Sequence, residues 1–212
     1  MTVIAVVDYH LGNLRSVKCA LDQLGQTSVV TSDPTQIAQA DAVIFPGVGA
    51  FHHAMENLDA LRLTHTLRDF ALSGKPFLGI CLGLQLLFAE STEHGTHPGL
   101  DLLPGRVVRF PQGQKVPQMG WNEVEQALPS PLYRGVPDRA FFYFAHSYHV
   151  VPDDEEVVIG HTDYGIPYAS AVQKNNMFGV QFHPEKSGPV ACVSSPTSVA
   201  SLSREPRCSP SE

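Results

Sequence analysis

The sequence lacks the features of a membrane-spanning, secreted or nucleic-acid-binding protein. No apolar run approaches the roughly 20 residues that are needed to cross a bilayer. Residues 1–8 contain neither the basic segment nor the small-residue cleavage site of a signal peptide, and we interpret them as an opening strand. Basic residues are few: 14 Lys and Arg against 21 Asp and Glu give a net charge of −7, which disfavours binding to phosphate backbones and to anionic membranes.

Cysteine is also scarce. The four cysteines form no C-x-x-C pair, so neither a disulfide framework nor a zinc site is predicted. A reducing compartment suits such a chain, above all if it depends on a free thiol, and we expect a cytoplasmic protein. The remaining composition is that of a globular protein, 43% hydrophobic and 17% charged, and 212 residues are enough for one well-buried domain.

Up to Gly95 the chain alternates strand-like and helix-like patterns. The predicted strands are residues 3–8, 29–30, 42–45 and 77–80, and the predicted helices are residues 14–24, 61–73 and 82–89. This alternation predicts an α/β fold with a mostly parallel central sheet that is flanked by helices. Beyond Gly95, short apolar runs separated by Gly, Pro and Asp predict a mixed or antiparallel extension of the same sheet. These runs are residues 106–110, 141–144, 157–159 and 169–172.

The most informative segment is residues 79–83, Gly-Ile-Cys-Leu-Gly, which leads from an apolar run into helix-forming residues. This pattern is typical of a strand, a sharp turn and a helix with a reactive side chain on the turn. The glycines allow a tight bend and leave room beside the sulfur of Cys81 for a substrate carbonyl. A helix N-terminus and a nearby histidine would favour the thiolate, and residues 183–185, His-Pro-Glu, supply such a histidine with a carboxylate.

Three loops are expected to meet at the carboxyl ends of the strands, where α/β sheets bind ligands. Besides the Cys81 and His183 loops, the third is the glycine-rich segment of residues 46–51. It can turn the N–H of Val48 toward an anion and, with the N–H of Leu82, form an oxyanion hole. Together these residues predict acyl transfer: Cys81 attacks a carbonyl, His183 accepts and returns the proton, and Glu185 orients the imidazole. The chain order Cys, His, Glu disfavours an esterase or lipase of the α/β-hydrolase type.

At these residues the sequence resembles the class I (triad) glutamine amidotransferases. Residues 79–85 and 179–185 match the nucleophile and His/Glu segments of that family. The family members in histidine biosynthesis share further segments with this chain, namely residues 8–16, 46–51, 116–122, 143–148 and 183–187. The resemblance implies a flavodoxin-like amidotransferase fold and hydrolysis of glutamine to glutamate and ammonia through a γ-glutamyl thioester on Cys81. It also implies transfer of the ammonia to a (β/α)₈-barrel cyclase subunit in a heterodimer, with no metal or organic cofactor.

The resemblance further implies residues for the substrate and for the partner. The expected glutamine contacts are Gly49, Gln85, Glu93, His146, Ser147 and Tyr148. The expected barrel-facing residues are Asn13, Trp121, Asn122, Tyr143 and Lys186. Gln85 comes one helical turn after Cys81 and so faces the same way, and Trp and Tyr are enriched in interface cores. His146 and His149 could suggest a metal pair, but a third ligand is lacking and we predict no metal site.

The resemblance covers about residues 3–190, so we expect one amidotransferase domain over residues 1–190 and an atypical tail over residues 191–212. Where the family continues with an amphipathic helix, this chain is rich in Ser and Pro, and we expect disorder. One hypothesis is a shifted reading frame. Two alternative functions stay open: the glutaminase subunit of another class I amidotransferase, as in anthranilate or pyridoxal phosphate synthesis, and a partner-binding subunit inactivated by its altered C-terminus.

Overall fold

The computed structural model describes residues 2–188 as strands wrapped by short helices. The strands are β1 (Val3–Val7), β2 (Thr27–Thr31), β3 (Ala42–Gly47), β4 (Phe77–Cys81), β5 (Phe88–Ser91), β6 (His97–Pro98), β7 (Leu103–Arg109), β8 (Gln118–Gln126), β9 (Ala140–His146), β10 (Tyr148–Pro152), β11 (Val158–Asp163), β12 (Pro167–Lys174) and β13 (Met177–Val180). The α-helices are α1 (Leu14–Gln23), α2 (Pro34–Gln39), α3 (Phe51–Ala60), α4 (Leu63–Leu72) and α5 (Leu82–Gln85). Single 3₁₀ turns cover Pro131–Tyr133, Glu155–Val157 and Pro184–Lys186. The predicted disordered tail, residues 191–212, lies outside the described residues, and none of the described helices could cross a membrane.

A parallel sheet in the order β2-β1-β3-β4-β13 forms the centre of the fold. Strands β3 and β4 are buried along their whole length, as expected for strands covered on both faces. Helix α1 contributes Val17 and Leu21 to the hydrophobic cluster on one side of this sheet, whereas α2, α3 and α4 contribute to the other cluster. The predicted α/β class with a mostly parallel centre is therefore confirmed.

The sheet continues from β13 through strands of mixed direction. Strands β12, β10 and β7 follow in antiparallel pairs, and β5 then pairs parallel with β7. A branch leaves the main sheet at β12, because β11 pairs with both β12 and β8, and β8 forms an antiparallel pair with β9. The expected mixed extension is present, and it carries β9 to the edge where His183 lies, since the N–H of His183 donates to the carbonyl oxygen of Tyr143 on β9.

The helix predicted over residues 82–89 is too long. Helix α5 ends at Gln85, and the chain re-enters the sheet as β5. The residues that follow Gln85 have no exposed face, because Leu86, Leu87 and Phe88 are all fully buried. Their carbonyl oxygens accept hydrogen bonds from the backbone of residues 100–103 and not from a continuing helix. Hydrogen bonds with a distant segment therefore take the place of those that a longer helix would make. The local hydrophobic periodicity gives no sign of this segment.

Strand register brings the three predicted loops together. Gly47 at the end of β3 is paired with Cys81 at the end of β4, and Ile80 is paired with Val180 at the end of β13. All three strands run parallel, so their carboxyl ends share one edge of the sheet. The chain needs only three residues beyond Val180 to reach His183, which places the histidine beside the cysteine loop.

Candidate active site

Cys81 occupies a strained turn between β4 and α5. Its backbone has φ 55° and ψ −108°, a conformation that residues other than glycine rarely adopt. Such a conformation costs on the order of 1–3 kcal/mol and persists only where the surrounding packing enforces it. The residue is 5% exposed. Cys81 therefore lies on the turn, as the sequence predicts, and it adopts the positive φ itself, whereas Gly79 and Gly83 do not.

The two glycines around Cys81 are required by close packing. A Cβ on Gly79 would lie 2.7 Å from the carbonyl oxygen of Gly83. A Cβ on Gly83 would lie 2.9 Å from the carbonyl carbon of Phe45 and closer still to its oxygen. Helix α5 therefore packs directly on the backbone of β3, and this contact fixes the N–H of Leu82 relative to the loop that follows β3.

His183 and Glu185 form a buried pair next to Cys81. The Nδ1 atom of His183 lies 2.9 Å from Oε1 of Glu185, and both side chains are 3% exposed. The same carboxylate oxygen accepts a long hydrogen bond of 3.5 Å from Nδ2 of Asn13. Because Nδ1 is bonded to the carboxylate, Nε2 of His183 is the nitrogen that remains for Cys81.

The surroundings of His183 favour its charged form. Burial lowers the pKa of the imidazole, but hydrogen bonds with Cys81 and with Glu185, reinforced by their charges, raise it to about 9. His183 is therefore protonated at neutral pH when it is paired with a thiolate. This is the ion-pair arrangement that gives a cysteine its nucleophilicity.

A cavity of about 200 Å³ opens beside the sulfur of Cys81. This is smaller than the roughly 300–1,000 Å³ of sites for drug-sized ligands, so the space suits a single amino acid. The predicted residues that line it are Val48, Gly49, Cys81, Leu82, Gln85, Glu93, His146, Ser147 and Tyr148. Two further residues, Pro117 and Ala145, also line the cavity and were not predicted. Both lie in segments that carry the family resemblance, but no local pattern marks them as site residues.

Glu93 and His146 are held in place by backbone contacts. Oε2 of Glu93 accepts a 2.6 Å hydrogen bond from the N–H of Phe51, the first residue of α3, and so anchors the glycine-rich loop before that helix. Nδ1 of His146 donates to the carbonyl oxygen of Tyr148 at 2.8 Å. Burial lowers the pKa of His146 to about 3, so this histidine is neutral at the rim of the cavity. His149 contacts the carbonyl oxygen of Val150 in the same way.

Three of the five predicted partner residues form one cluster at the surface. The rings of Trp121 and Tyr143 meet edge to face at 6.2 Å, and the ammonium of Lys186 lies 5.6 Å from the centre of the Tyr143 ring. The other two residues make contacts within the chain: Asn13 reaches Glu185, and Nδ2 of Asn122 donates to the carbonyl oxygen of Asp163 at 2.8 Å.

Two buried polar side chains near the sulfur were not predicted as site residues. Tyr9 is fully buried, its hydroxyl has no hydrogen-bond partner among the described residues, and it occupies the space where a Cβ on Gly47 would lie. Burial raises the pKa of this hydroxyl, and the charge of Cys81 adds to the effect. Gln181 is also fully buried and contacts Cys81 directly. Both lie in family-like segments, and only the three-dimensional packing reveals their position.

Comparisons with known proteins agree with this geometry. The glutamine amidotransferase class-I family model matches residues 5–191. Imidazole glycerol phosphate synthase subunit HisH of Moorella thermoacetica is 56% identical over 187 residues, 88% of this chain and 89% of that protein. HisH of Desulfitobacterium hafniense is 51% identical with the same coverage. A solved glutamine amidotransferase, 19% identical, has the same fold with a TM-score of 0.75 over 95% of this chain and 99% of that one. The chain therefore belongs to the HisH family, the class I glutamine amidotransferase subunits of imidazole glycerol phosphate synthase.

Proposed function

We propose that this chain hydrolyses glutamine at Cys81 and delivers the ammonia to a HisF-type (β/α)₈-barrel cyclase in a heterodimer. That complex forms imidazole glycerol phosphate and an aminoimidazole carboxamide ribotide in histidine biosynthesis. One observation carries the proposal: the hydrogen-bonded pair of His183 and Glu185 interacts with Cys81, and Cys81 lines a cavity of amino-acid size. This arrangement argues against a subunit that only binds its partner.

The first half of the reaction forms a thioester. The sulfur of Cys81 attacks the side-chain carbonyl carbon of glutamine, and the thiol proton resides on Nε2 of His183. The negative oxygen of the tetrahedral intermediate accepts hydrogen bonds from the N–H groups of Val48 and Leu82. One such donor typically lowers the activation barrier by about 3 kcal/mol. His183 then gives its proton to the leaving nitrogen, the C–N bond breaks, and ammonia departs.

The second half consumes one water molecule. His183 takes a proton from the water as its oxygen attacks the thioester carbonyl. The C–S bond then breaks, the proton returns to the sulfur of Cys81, and glutamate leaves. Glu185 holds Nδ1–H of His183 throughout and stabilises the imidazolium, so the same nitrogen acts as base and acid in both halves.

Polar groups that line the cavity suit the α-carbon end of glutamine. Nε2 of Gln85 donates to the carbonyl oxygen of Tyr148 at 2.9 Å and to Oε1 of Gln181 at 3.1 Å. This leaves the amide oxygen of Gln85 to accept from the substrate ammonium, with the carboxylate of Glu93 nearby to balance its charge. The backbone of Gly49 and of residues 146–148 completes the wall around the substrate.

The proposed barrel-docking face is an apolar surface on the β8–β9 hairpin, made of Met119, Trp121, Phe141 and Tyr143. The first three are 67%, 56% and 52% exposed. Alternation along the paired strands puts all four side chains on one side of the hairpin. Contiguous exposed aromatic surface of this kind is typical of protein interfaces.

This docking face adjoins the catalytic histidine. The N–H of His183 donates to the carbonyl oxygen of Tyr143 at 2.8 Å. The hydroxyl of Ser187 accepts from the N–H of Tyr143 at 3.0 Å and donates to the carbonyl oxygen of His183 at 2.6 Å. A barrel bound at the docking face would therefore sit next to the triad, where ammonia is released.

Cys81→Ala tests the proposal. We expect it to abolish glutamate release, with and without purified HisF-type barrel protein, while binding to the barrel persists because Cys81 is buried and is not part of the docking face. Cys19→Ala, which changes an exposed cysteine on α1, is the matched control and should behave like the unaltered chain. Glutamate release by Cys81→Ala at the rate of the control would refute the proposed nucleophile.

An acceptor assay tests the proposed partner. Glutamine-dependent formation of imidazole glycerol phosphate should require both this chain and the barrel protein. Anthranilate or pyridoxal phosphate synthase subunits should not replace the barrel. Activity with one of those subunits in its place would contradict the assignment.

A further inference from the structure

A continuous series of hydrogen bonds leads from the cavity rim to the nucleophile through Gln181. This side chain is fully buried, and the residue directly follows β13. Its Nε2 lies 3.6 Å from the sulfur of Cys81, and its Oε1 accepts from Nε2 of Gln85 at 3.1 Å. Its backbone N–H donates to the carbonyl oxygen of Ser170 at 2.8 Å, which holds the residue against β12.

The orientation of the Gln85 and Gln181 side-chain amides follows from the carbonyl oxygen of Tyr148, which can only accept hydrogen bonds. The carbonyl oxygen of Tyr148 has no proton to give, so the group of Gln85 that faces it must be the NH₂. The same NH₂ faces Gln181, which must therefore present its oxygen in that direction. The NH₂ of Gln181 is left to point at the sulfur of Cys81. The nucleophile thus faces an N–H donor and not an oxygen lone pair.

We propose that Gln181 is a positioning residue of the glutaminase: it donates to the sulfur of Cys81, favouring the thiolate and fixing its direction, and it locks the amide of Gln85 toward the substrate. The proposal rests on Cys81 being the nucleophile, as proposed above. Hydrogen bonds to a charged group are stronger than those to a neutral one, so the amide stabilises the thiolate more than the thiol. His183 also interacts with Cys81, so the thiolate has a second polar partner.

Two substitutions with side chains about as long as glutamine distinguish hydrogen bonding to the sulfur from simple filling of space. Gln181→Met fills the volume without a donor, and Gln181→Glu puts a carboxylate against the sulfur. The folded protein is alkylated with iodoacetamide at a series of pH values in the absence of glutamine. Mass spectrometry of the peptide that contains Cys81 then gives the extent of alkylation at each pH. We expect the thiol pKa to rise by about one unit in Gln181→Met. A larger rise is expected in Gln181→Glu, because the carboxylate repels the thiolate.

Gln173→Met is the matched control. Gln173 also uses both ends of its amide, accepting from Ser130 and donating to the carbonyl oxygen of Asn175, but it lies far from the sulfur on β12. Its substitution should leave the alkylation profile unchanged. An unchanged profile in folded Gln181→Met, or a thiol pKa in Gln181→Glu that is no higher than in the unaltered chain, would overturn the proposal.

Gln85→Met tests the same series from its other end and does not require a change at Gln181. Without the NH₂ of Gln85, the amide of Gln181 is free to turn its oxygen toward the sulfur, so the thiol pKa should rise while Gln181 itself is intact. No rise in this variant would contradict the orienting role. Loss of glutamate release in Cys81→Ala together with an unchanged profile in Gln181→Met would leave the proposed function standing and reject only the role of Gln181.

Discussion

Gly83→Ala is the substitution for which the structure makes the sharpest prediction. Helix α5 rests on the backbone of β3, and a methyl group at residue 83 would lie 2.9 Å from the carbonyl carbon of Phe45, inside the 3.4 Å at which ordinary van der Waals contact begins. The obstacle is main chain in the middle of a parallel sheet. It cannot rotate away as a side chain could, so α5 and β3 must move apart.

The expected loss of stability is about 2–3 kcal/mol. Overpacking of a close contact typically costs about 1–3 kcal/mol, and a backbone obstacle puts this case at the upper end. The gain in helix propensity from Gly to Ala, about 1 kcal/mol at most, is reduced in a helix of only four residues. For a chain of this size the loss corresponds to a melting temperature about 5–10 °C lower.

The same displacement should impair catalysis. It moves the N–H of Leu82, one of the two proposed oxyanion donors, away from the loop that carries Val48. Loss of one such donor typically lowers kcat by about 100-fold or more. Melting curves and glutamate release in the presence of the barrel protein measure the two effects. Gly25→Ala is the control, because nothing lies within 4 Å of its Cβ position and only its φ of +66° is unfavourable, at about 1 kcal/mol. A Gly83→Ala protein that melts with this control and retains its kcat would show that α5 is not packed on β3 as described.

Four further changes test other parts of the site. Folding raises the pKa of His183 from 6.5 to about 9, so protonated His183 stabilises the folded chain by about 3 kcal/mol. This stabilisation is complete below pH 6.5 and is lost between pH 6.5 and 9. The urea midpoints of wild type and His183→Asn should therefore converge at high pH. Glu185→Gln should bring that pKa back toward 6.5 in an NMR titration and lower kcat by about 100-fold or more. Trp121→Ala should weaken barrel binding about 30-fold in calorimetry, whereas Leu128→Ala, an exposed apolar residue away from the docking face, should not. Tyr9→Phe should melt no lower than wild type, since the hydroxyl that it removes has no partner among the described residues; a clear drop would reveal one.

The parallel centre of the fold could be predicted because two of its central strands, β3 and β4, begin as continuous apolar runs. Residues 42–45 and 77–80 are apolar without interruption, and both became fully buried strands. The mixed extension was predictable only as a class. Nothing local indicates that β11 pairs with two different strands, or that β8 and β9 leave the main sheet together.

The site was predictable as a set of residues but not as a network. The motifs at Cys81 and His183 indicate nucleophile and base, since each pattern is local and chemically specific. The orientation of Gln181 depends on the carbonyl oxygen of Tyr148, two hydrogen bonds away and on another strand. These hydrogen bonds join residues from different strands, so no short segment of the sequence predicts them. The strain at Cys81 is equally invisible in sequence, because it arises from the packing of α5 on β3.

The pairing of β4 with β13 has a consequence for synthesis of the protein. Translation proceeds from the N-terminus, so β4 is made about a hundred residues before the strand that covers its free side. At roughly 5–20 residues per second, this apolar edge stays open for about 5–20 seconds on the ribosome. Unpaired edges of this kind attract other unpaired strands, and nascent chains halted before residue 177 should be the form most prone to aggregate. The strand pairing that brings His183 beside Cys81 is thus also the pairing whose late formation exposes the growing chain to aggregation.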